Sequence, residues 1–331
     1  MSTVRKAVDN TVGEFALVAD IGGTNARFAL APLNHSHSII QERKWRVADY
    51  PTLADAARKY IEEVTPDNPP RVGVVAVAAP SNRDEVRMTN CKWEFSVSET
   101  RHALGLDHLQ VINDFAANSW AVLDLNDSKL LHLGGHELET NRVGTYAALG
   151  PGTGLGVGAV RREADGGLSV IETEGGHIDF APVSEEEDEI LRKLRVRFGR
   201  VSYERLLCGT GLVNIYDCVT GKGLDITPEE ITQGAAAGDA EAKRVVEIFC
   251  EILGSFAGNV ALIHGAWNGV FLSGCMLRAM ADTLASGQFR KRFESKGRFS
   301  AMLADIPALL VQEPSLGLLG SAAALRVRLG V

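Results

Sequence analysis

The sequence predicts an α/β fold in two domains, on three observations. The chain has 331 residues, above the usual size of a single hydrophobic core. Strand-like apolar runs are mixed with helical patterns, which indicates a layered sheet with both hairpin and crossover connections. A strand, glycine turn, strand opening also occurs twice, about half a chain apart, as a faint internal duplication.

Each element has its own signal. Residues 15–19 are an apolar run of strand formers. Asp20-Ile21-Gly22-Gly23-Thr24-Asn25 and a second run over 27–31 follow, so the pair reads as a β-hairpin. A third strand is expected at 39–47. Leu53, Ala56, Ala57, Tyr60, Ile61 and Val64 fall at helical spacing and predict a helix over 53–64, ending before Pro66. Residues 72–78 are continuously apolar, as in a strand covered on both faces. A helix at 98–104, a strand at 109–112 and a helix at 115–123 complete the first half.

The second half opens in the same style. A strand at 145–149, the turn Gly150-Pro151-Gly152-Thr153-Gly154 and a strand at 155–161 are followed by a strand at 168–172 after Asp165-Gly166-Gly167. The remainder reads as mostly helical. Ser184 with Glu187 predicts a capping box ahead of a helix at 190–198, and Thr227-Pro228-Glu229 an N-cap with proline at the first helical position. A long helix is expected over 239–263, a strand at 270–273, and a helix over 315–328 that packs back on the body.

Composition narrows the function. There are 34 basic and 42 acidic side chains, a net charge of −8, which argues against a surface built to neutralise nucleic-acid phosphates. The longest apolar stretches, such as 72–79, fall short of the roughly 20 residues that span a bilayer, so no membrane role is expected. Residues 1–10 contain no apolar secretory core, and a cytoplasmic protein is expected. The five cysteines (Cys91, Cys208, Cys218, Cys250, Cys275) have neither zinc-knuckle nor redox-dithiol spacing and read as buried or idle thiols.

Several residues are able to carry chemistry. A glycine turn exposes backbone N–H groups to phosphate oxygens, and Asp20 beside one becomes a ligand only with Mg²⁺ between, usually through water. Two unliganded hairpins would look the same in sequence. The P-loop pattern G-x-x-x-x-G-K-[ST] is absent. Gly154-x-Gly156-x-x-Ala159 loosely fits a dinucleotide fingerprint, but that fingerprint must open a helix and here leads a strand. Asn113-Asp114 ends a predicted strand, where open α/β sheets bind ligands. Asp114 there suits a general base, or simply an N-cap for the helix beginning at Phe115. Glu174-Gly175-Gly176-His177 has no metal spacing and suits sugar hydroxyls, although a lone turn histidine is an equal reading. Ser202-Tyr203-Glu204-Arg205 reads as a short helix leading into a loop at Cys208-Gly209-Thr210-Gly211, with Glu204 solvated by base rate.

Taken in order, these pieces resemble the bacterial glucokinase family of the hexokinase–actin-like ATPase superfamily. The matching stretches are Ala19-Asp20-Ile21-Gly22-Gly23-Thr24-Asn25-Ala26-Arg27, Met88-Thr89-Asn90, Ile112-Asn113-Asp114-Phe115 and Leu149-Gly150-Pro151-Gly152-Thr153-Gly154-Leu155-Gly156. Glu174-Gly175-Gly176-His177-Ile178-Asp179-Phe180-Ala181-Pro182, Ser202-Tyr203-Glu204-Arg205 and Gly317-Leu318-Leu319-Gly320 continue the series.

The resemblance implies a two-domain actin-like ATPase (ribonuclease H-like) fold. A smaller α/β domain, 1–123 plus 312–331, would face a larger α+β domain, 124–311, across a cleft. It implies ATP-dependent phosphorylation of glucose at the 6-hydroxyl, with Asp114 as base. Asn90, Asn113, Asp114, Glu174, His177 and Glu204 would bind the sugar. Asp20, Gly22, Gly23, Thr24, Asn25, Gly150, Gly152, Thr153, Gly154 and Gly274 would bind ATP, with Mg²⁺ at Asp20 through water, in a homodimer. One departure stands out: Gly274-Cys275-Met276-Leu277 replaces the family's Gly-Gly pair at the adenosine. Sugar-sensing regulators on the same fold carry a helix-turn-helix ahead of the body, for which about fourteen residues before the first strand are too few.

Overall fold

The computed structural model describes residues 14–33, 38–79, 83–88 and 91–329. The chain divides into two compact units, Met1–Leu125 with Ser315–Val331, and Asn126–Pro314.

The first unit is built on a five-stranded sheet. Its elements are β1 (Phe15–Ile21), β2 (Asn25–Pro32), β3 (Ile40–Arg46), α1 (Leu53–Val64), β4 (Val72–Val77), β5 (Glu85–Arg87), β6 (Glu94–Ser96), α2 (Val97–Ala103), β7 (His108–Asn113) and α3 (Asp114–Ala121). The strand order is β3-β2-β1-β4-β7, with β5 and β6 as a separate hairpin. β1, β2 and β3 form an antiparallel meander, whereas β1, β4 and β7 run parallel.

The continuous apolar run of β4 is explained by burial on both faces, as all six of its residues are buried. β1 shows the same thing by alternation. Leu17, Ala19 and Ile21 join the core beneath α1, which also holds Tyr60 and Trp93. Ala16 and Val18 face the opposite core, made with Leu318, Ala322 and Leu325 of the C-terminal helix Leu316–Leu329. α1 has the predicted bounds and is capped by Thr52, whose side chain accepts the Asp55 N–H.

The second unit has a six-stranded sheet of β8 (Leu130–His132), β9 (Gly144–Pro151), β10 (Leu155–Arg162), β11 (Leu168–Thr173), β12 (Val270–Leu272) and β13 (Ala308–Val311). Its order is β11-β10-β9-β12-β13-β8. Here too a three-stranded antiparallel meander continues into parallel strands, with β8 added antiparallel at the far edge. From the meander inward the two sheets share one strand order, which gives the repeated opening a structural counterpart.

Helices α4 (Glu185–Phe198), α5 (Gly209–Thr220), α6 (Pro228–Ala236), α7 (Ala240–His264), α8 (Cys275–Ala279), α9 (Ala281–Ala285), α10 (Gln288–Glu294) and α11 (Ser300–Asp305) complete this unit. By length and composition α7 would cross a membrane, but 72% of its most apolar window is buried in the protein. Phe249, Leu253, Phe256 and Val260 are part of the unit's main core.

Two local expectations are corrected. Ser184 does cap α4 by accepting the Glu187 N–H, yet Glu187 does not close the box. Its carboxylate accepts the Val183 N–H at 2.9 Å and pairs with Arg292 at 2.6 Å, because the side chain is drawn inward and is only 2% exposed. The expected loop at Cys208-Gly209 is the start of α5, with the Cys208 thiol accepting the Gly211 N–H. The reciprocal capping box is found instead at Thr227 and Glu230. Of the cysteines, Cys208, Cys218 and Cys250 are buried, Cys91 is intermediate and Cys275 is exposed.

Candidate functional site

In the first unit the parallel strands end in register. Ile21 lies beside Val77, and Val77 beside Asn113. The glycine turn after β1 and the Asn113-Asp114 pair after β7 therefore share the carboxyl edge of one sheet, two strands or about 10 Å apart. Open α/β sheets place ligands at this edge.

Asn113, not Asp114, is the N-cap of α3. Its Oδ1 accepts the N–H groups of Phe115 at 2.8 Å and Ala116 at 3.1 Å. Asp114 is instead the first helical residue, and its Oδ1 accepts the Phe115 N–H at 2.8 Å. Asparagine caps as well as aspartate does, and a capping Asn113 leaves Asp114 within the first turn, where the positive end of the helix favours an anion.

Asp20 is the penultimate residue of β1. Its carboxylate packs over Gly317 at the start of the C-terminal helix, where an added Cβ would lie 2.8 Å from Cγ. Burial raises the Asp20 pKa above its ordinary value; Arg27 opposes the rise and Glu42 adds to it. Among the described residues no group of three or more His, Cys, Asp or Glu side chains could hold a metal ion. A lone carboxylate suits a magnesium ion that arrives on nucleotide phosphates and keeps its waters, rather than a resident metal.

The two glycine turns are alike. Gly22-Gly23-Thr24 joins β1 to β2, and Gly152-Thr153-Gly154 joins β9 to β10. The Gly22 N–H donates to the Asn25 carbonyl at 2.9 Å, and the Gly152 N–H to the Gly154 carbonyl at 2.7 Å. Neither Gly22 nor Gly152 has positive φ. A Cβ would meet nothing closer than 3.5 Å at Gly22 and 4.0 Å at Gly152. The fold thus does not require glycine at these two positions, and their bareness leaves the turns open to a ligand. Because β10 is a strand, the dinucleotide fingerprint at Gly154 lacks the helix it needs.

In the second unit His177 and Glu204 are brought together. A 3-10 turn, Gly175–His177, follows β11, and another, Tyr203–Arg205, carries Glu204. Phe180 N–H donates to Val201 and Tyr203 N–H to Ile178, so the segments after His177 and before Glu204 lie side by side. His177 Nδ1 stands 3.8 Å from Glu204 Oε1. The other oxygen, Oε2, accepts the Leu155 N–H at 2.9 Å, just past the glycine turn. Glu204 thus touches both the strand after the glycine turn and His177, despite its ordinary sequence context. Glu174 is exposed beside this pair, its carbonyl accepting the His177 N–H at 3.0 Å.

Gly274 ends the segment after β12 with φ of 131° and faces the Pro151 carbonyl, so it adjoins the second glycine turn. Cys275 begins α8 and is exposed. Asn90 lies outside the described residues.

A family model described as Glucokinase matches residues 17–328. The chain is 46% identical over 316 residues to a glucokinase of Stenotrophomonas maltophilia (strain K279a), covering 93% of each chain. Among solved structures it is similar to a glucokinase from an Antarctic psychrotroph, with a TM-score of 0.85 and 34% identity over 95% of this chain and 99% of that one. A glucokinase from Balamuthia mandrillaris, solved in complex with glucose, shares the fold at a TM-score of 0.75 and 21% identity, covering 98% of this chain and 99% of that one.

Proposed function

The chain belongs to the glucokinase family and is an enzyme with its two-domain actin-like ATPase fold, and from that premise we propose that it transfers the terminal phosphoryl group of ATP to the 6-hydroxyl of glucose. The observation that carries this reading is the shared carboxyl edge of the first sheet. There a bare glycine turn with a carboxylate at its base and a second carboxylate at a helix start lie two strands apart.

The first unit supplies the base. Asp114 takes the proton from the attacking hydroxyl, held in one rotamer by the Phe115 N–H. Asn113, with its carbonyl oxygen committed to the cap, presents its amide N–H₂ to the sugar. Glu174, His177 and Glu204 grip the remaining hydroxyls, as carboxylates accept from them and an imidazole either donates or accepts. Asn90 is assigned to the sugar by resemblance.

The turns at Gly22, Gly23, Thr24 and Asn25 and at Gly150, Gly152, Thr153 and Gly154 offer N–H groups to the phosphates, and Gly274 borders the adenosine. Asp20 would hold Mg²⁺ through water, and the ion, arriving with ATP, would supply neutralisation of charge on the phosphates. Phosphoryl transfer needs positioning more than covalent help.

The test is a coupled assay of ADP release with Mg-ATP against a panel of hexoses. Glucose-dependent release, with glucose 6-phosphate as product, is expected. Absence of glucose-dependent ADP release would reject the proposal.

A further inference from the structure

Glu204 touches two things at once. Its Oε2 accepts the Leu155 N–H at 2.9 Å, at the exit of the second glycine turn. Its Oε1 lies 3.8 Å from His177 Nδ1, on the side assigned to the sugar. Gly154, inside the turn, is shaped around this carboxylate, since a Cβ there would stand 2.5 Å from Oε2. The turn is flanked by the pairing of Pro151 with Leu155; within it the Gly152 N–H bonds to the Gly154 carbonyl, and the Gly152 carbonyl accepts the Gly209 N–H at 2.9 Å. The Glu204 side chain remains 29% exposed and that of His177 57%, so a ligand has access to the Oε1 side while Oε2 is committed to the backbone.

We infer that Glu204 is a positioning residue that links occupancy of the sugar site to the geometry of the Gly152-Thr153-Gly154 turn, so that glucose tightens nucleotide binding. This rests on the kinase reading proposed above. A hydroxyl donating to Oε1 restricts the carboxylate's torsions and thereby its grip on the Leu155 N–H. The turn is then held in the form that its phosphate ligand needs, and less freedom remains to be lost when the nucleotide binds. By reciprocity the nucleotide must tighten glucose by the same factor. Gly154 is glycine because the carboxylate occupies the space of its side chain.

The experiment measures dissociation constants of Mg-AMPPNP by titration calorimetry, with and without saturating glucose, on the full chain. Glucose is expected to tighten the analogue about tenfold in the unsubstituted protein, within the usual range of coupling. Gly154→Ala, which pushes Oε2 off the Leu155 N–H, should bring that ratio to about one, with glucose kept saturating for the variant. Glu204→Gln keeps an oxygen for the Leu155 N–H but puts an amide N–H₂ where the sugar hydroxyl must donate, and should lose most of the ratio. If Gly154→Ala does not fold, Glu204→Ala takes its place and should likewise bring the ratio to about one.

A role confined to structure would weaken the analogue equally with and without glucose, leaving the ratio unchanged; that result overturns the inference. Both ligands binding the unsubstituted protein with a ratio of one also overturns it, alone. Failure of either ligand to bind that protein overturns the kinase reading and the inference together.

Discussion

A methyl group added at Gly320 would stand 1.7 Å from the carbonyl oxygen of Ala117. The C-terminal helix thus crosses α3 at backbone contact, with no side chain between them. α3 is the helix that presents Asp114 at its start, so Gly320 fixes the height at which that carboxylate stands. Gly320→Ala should cost about 1–3 kcal/mol or more in urea unfolding, because neither backbone yields cheaply. Turnover should fall with it, and unchanged unfolding would show that the two helices separate more freely than their packing implies.

Asp114→Asn keeps the shape and the Phe115 contact but accepts no proton. Turnover should fall by roughly 10²–10⁴ with glucose affinity largely kept. Steady-state kinetics alongside glucose titration decide it, and near-normal turnover would assign the base elsewhere.

Asp20 should show the opposite sign in stability and activity. Burial raises its pKa in the fold, so the folded state holds its proton to higher pH than the unfolded chain does. The stability that the protonated form contributes is present below the unfolded pKa and lost as pH rises through the folded one. At neutral pH, above the unfolded pKa, Asp20 therefore costs the fold stability. Asp20→Asn should raise the melting temperature at pH 7 while weakening use of Mg-ATP. A lower melting temperature in this variant would contradict the burial argument.

The Glu187–Arg292 pair joins α4 to α10 at 2.6 Å, with side chains 2% and 14% exposed. Removing Glu187 takes away the nearer carboxylate of Arg292 and leaves it Glu251 at 3.6 Å and the Ser255 hydroxyl at 2.9 Å. Glu187→Ala should lose about 3–5 kcal/mol by chemical denaturation. A loss below about 1 kcal/mol would mean that the existing pair with Glu251, at 3.6 Å, is enough for Arg292.

Lys296 donates to the Ser255 carbonyl within α7, and burial, with Arg292 nearby, lowers its pKa to about 8. Between that value and the ordinary 10.5 the unfolded chain binds the extra proton, so stability gains from this group as pH rises through the interval. The melting temperature of the protein relative to Lys296→Met should accordingly rise from pH 8 to pH 10. A flat difference would show an ordinary, solvated amine.

Legibility followed the range of the forces involved. α1 keeps its predicted bounds because its apolar spacing and nearby Pro66 are local signals. β5, β6 and β8, with three residues each, are too short to show alternation, and nothing in sequence marks them. Asn113 and Asp114 are both good caps, so the choice between them waited on the actual helix start. The contact of Glu204 with His177 and Leu155 depends on pairing between segments about twenty residues apart. By residue type alone Glu204 read as a solvated helix position, and only family resemblance drew attention to it.

The shared strand order makes the β1–β2 and β9–β10 hairpins topological twins. Asp20 is next to last in β1, and Gly150 is next to last in β9. At equivalent stations one twin thus carries a negative charge and the other carries no side chain at all. Two copies of one plan thus differ at a matching station: one carries an acid near the end of its strand, while its sibling, stripped bare, leaves the main chain uncovered.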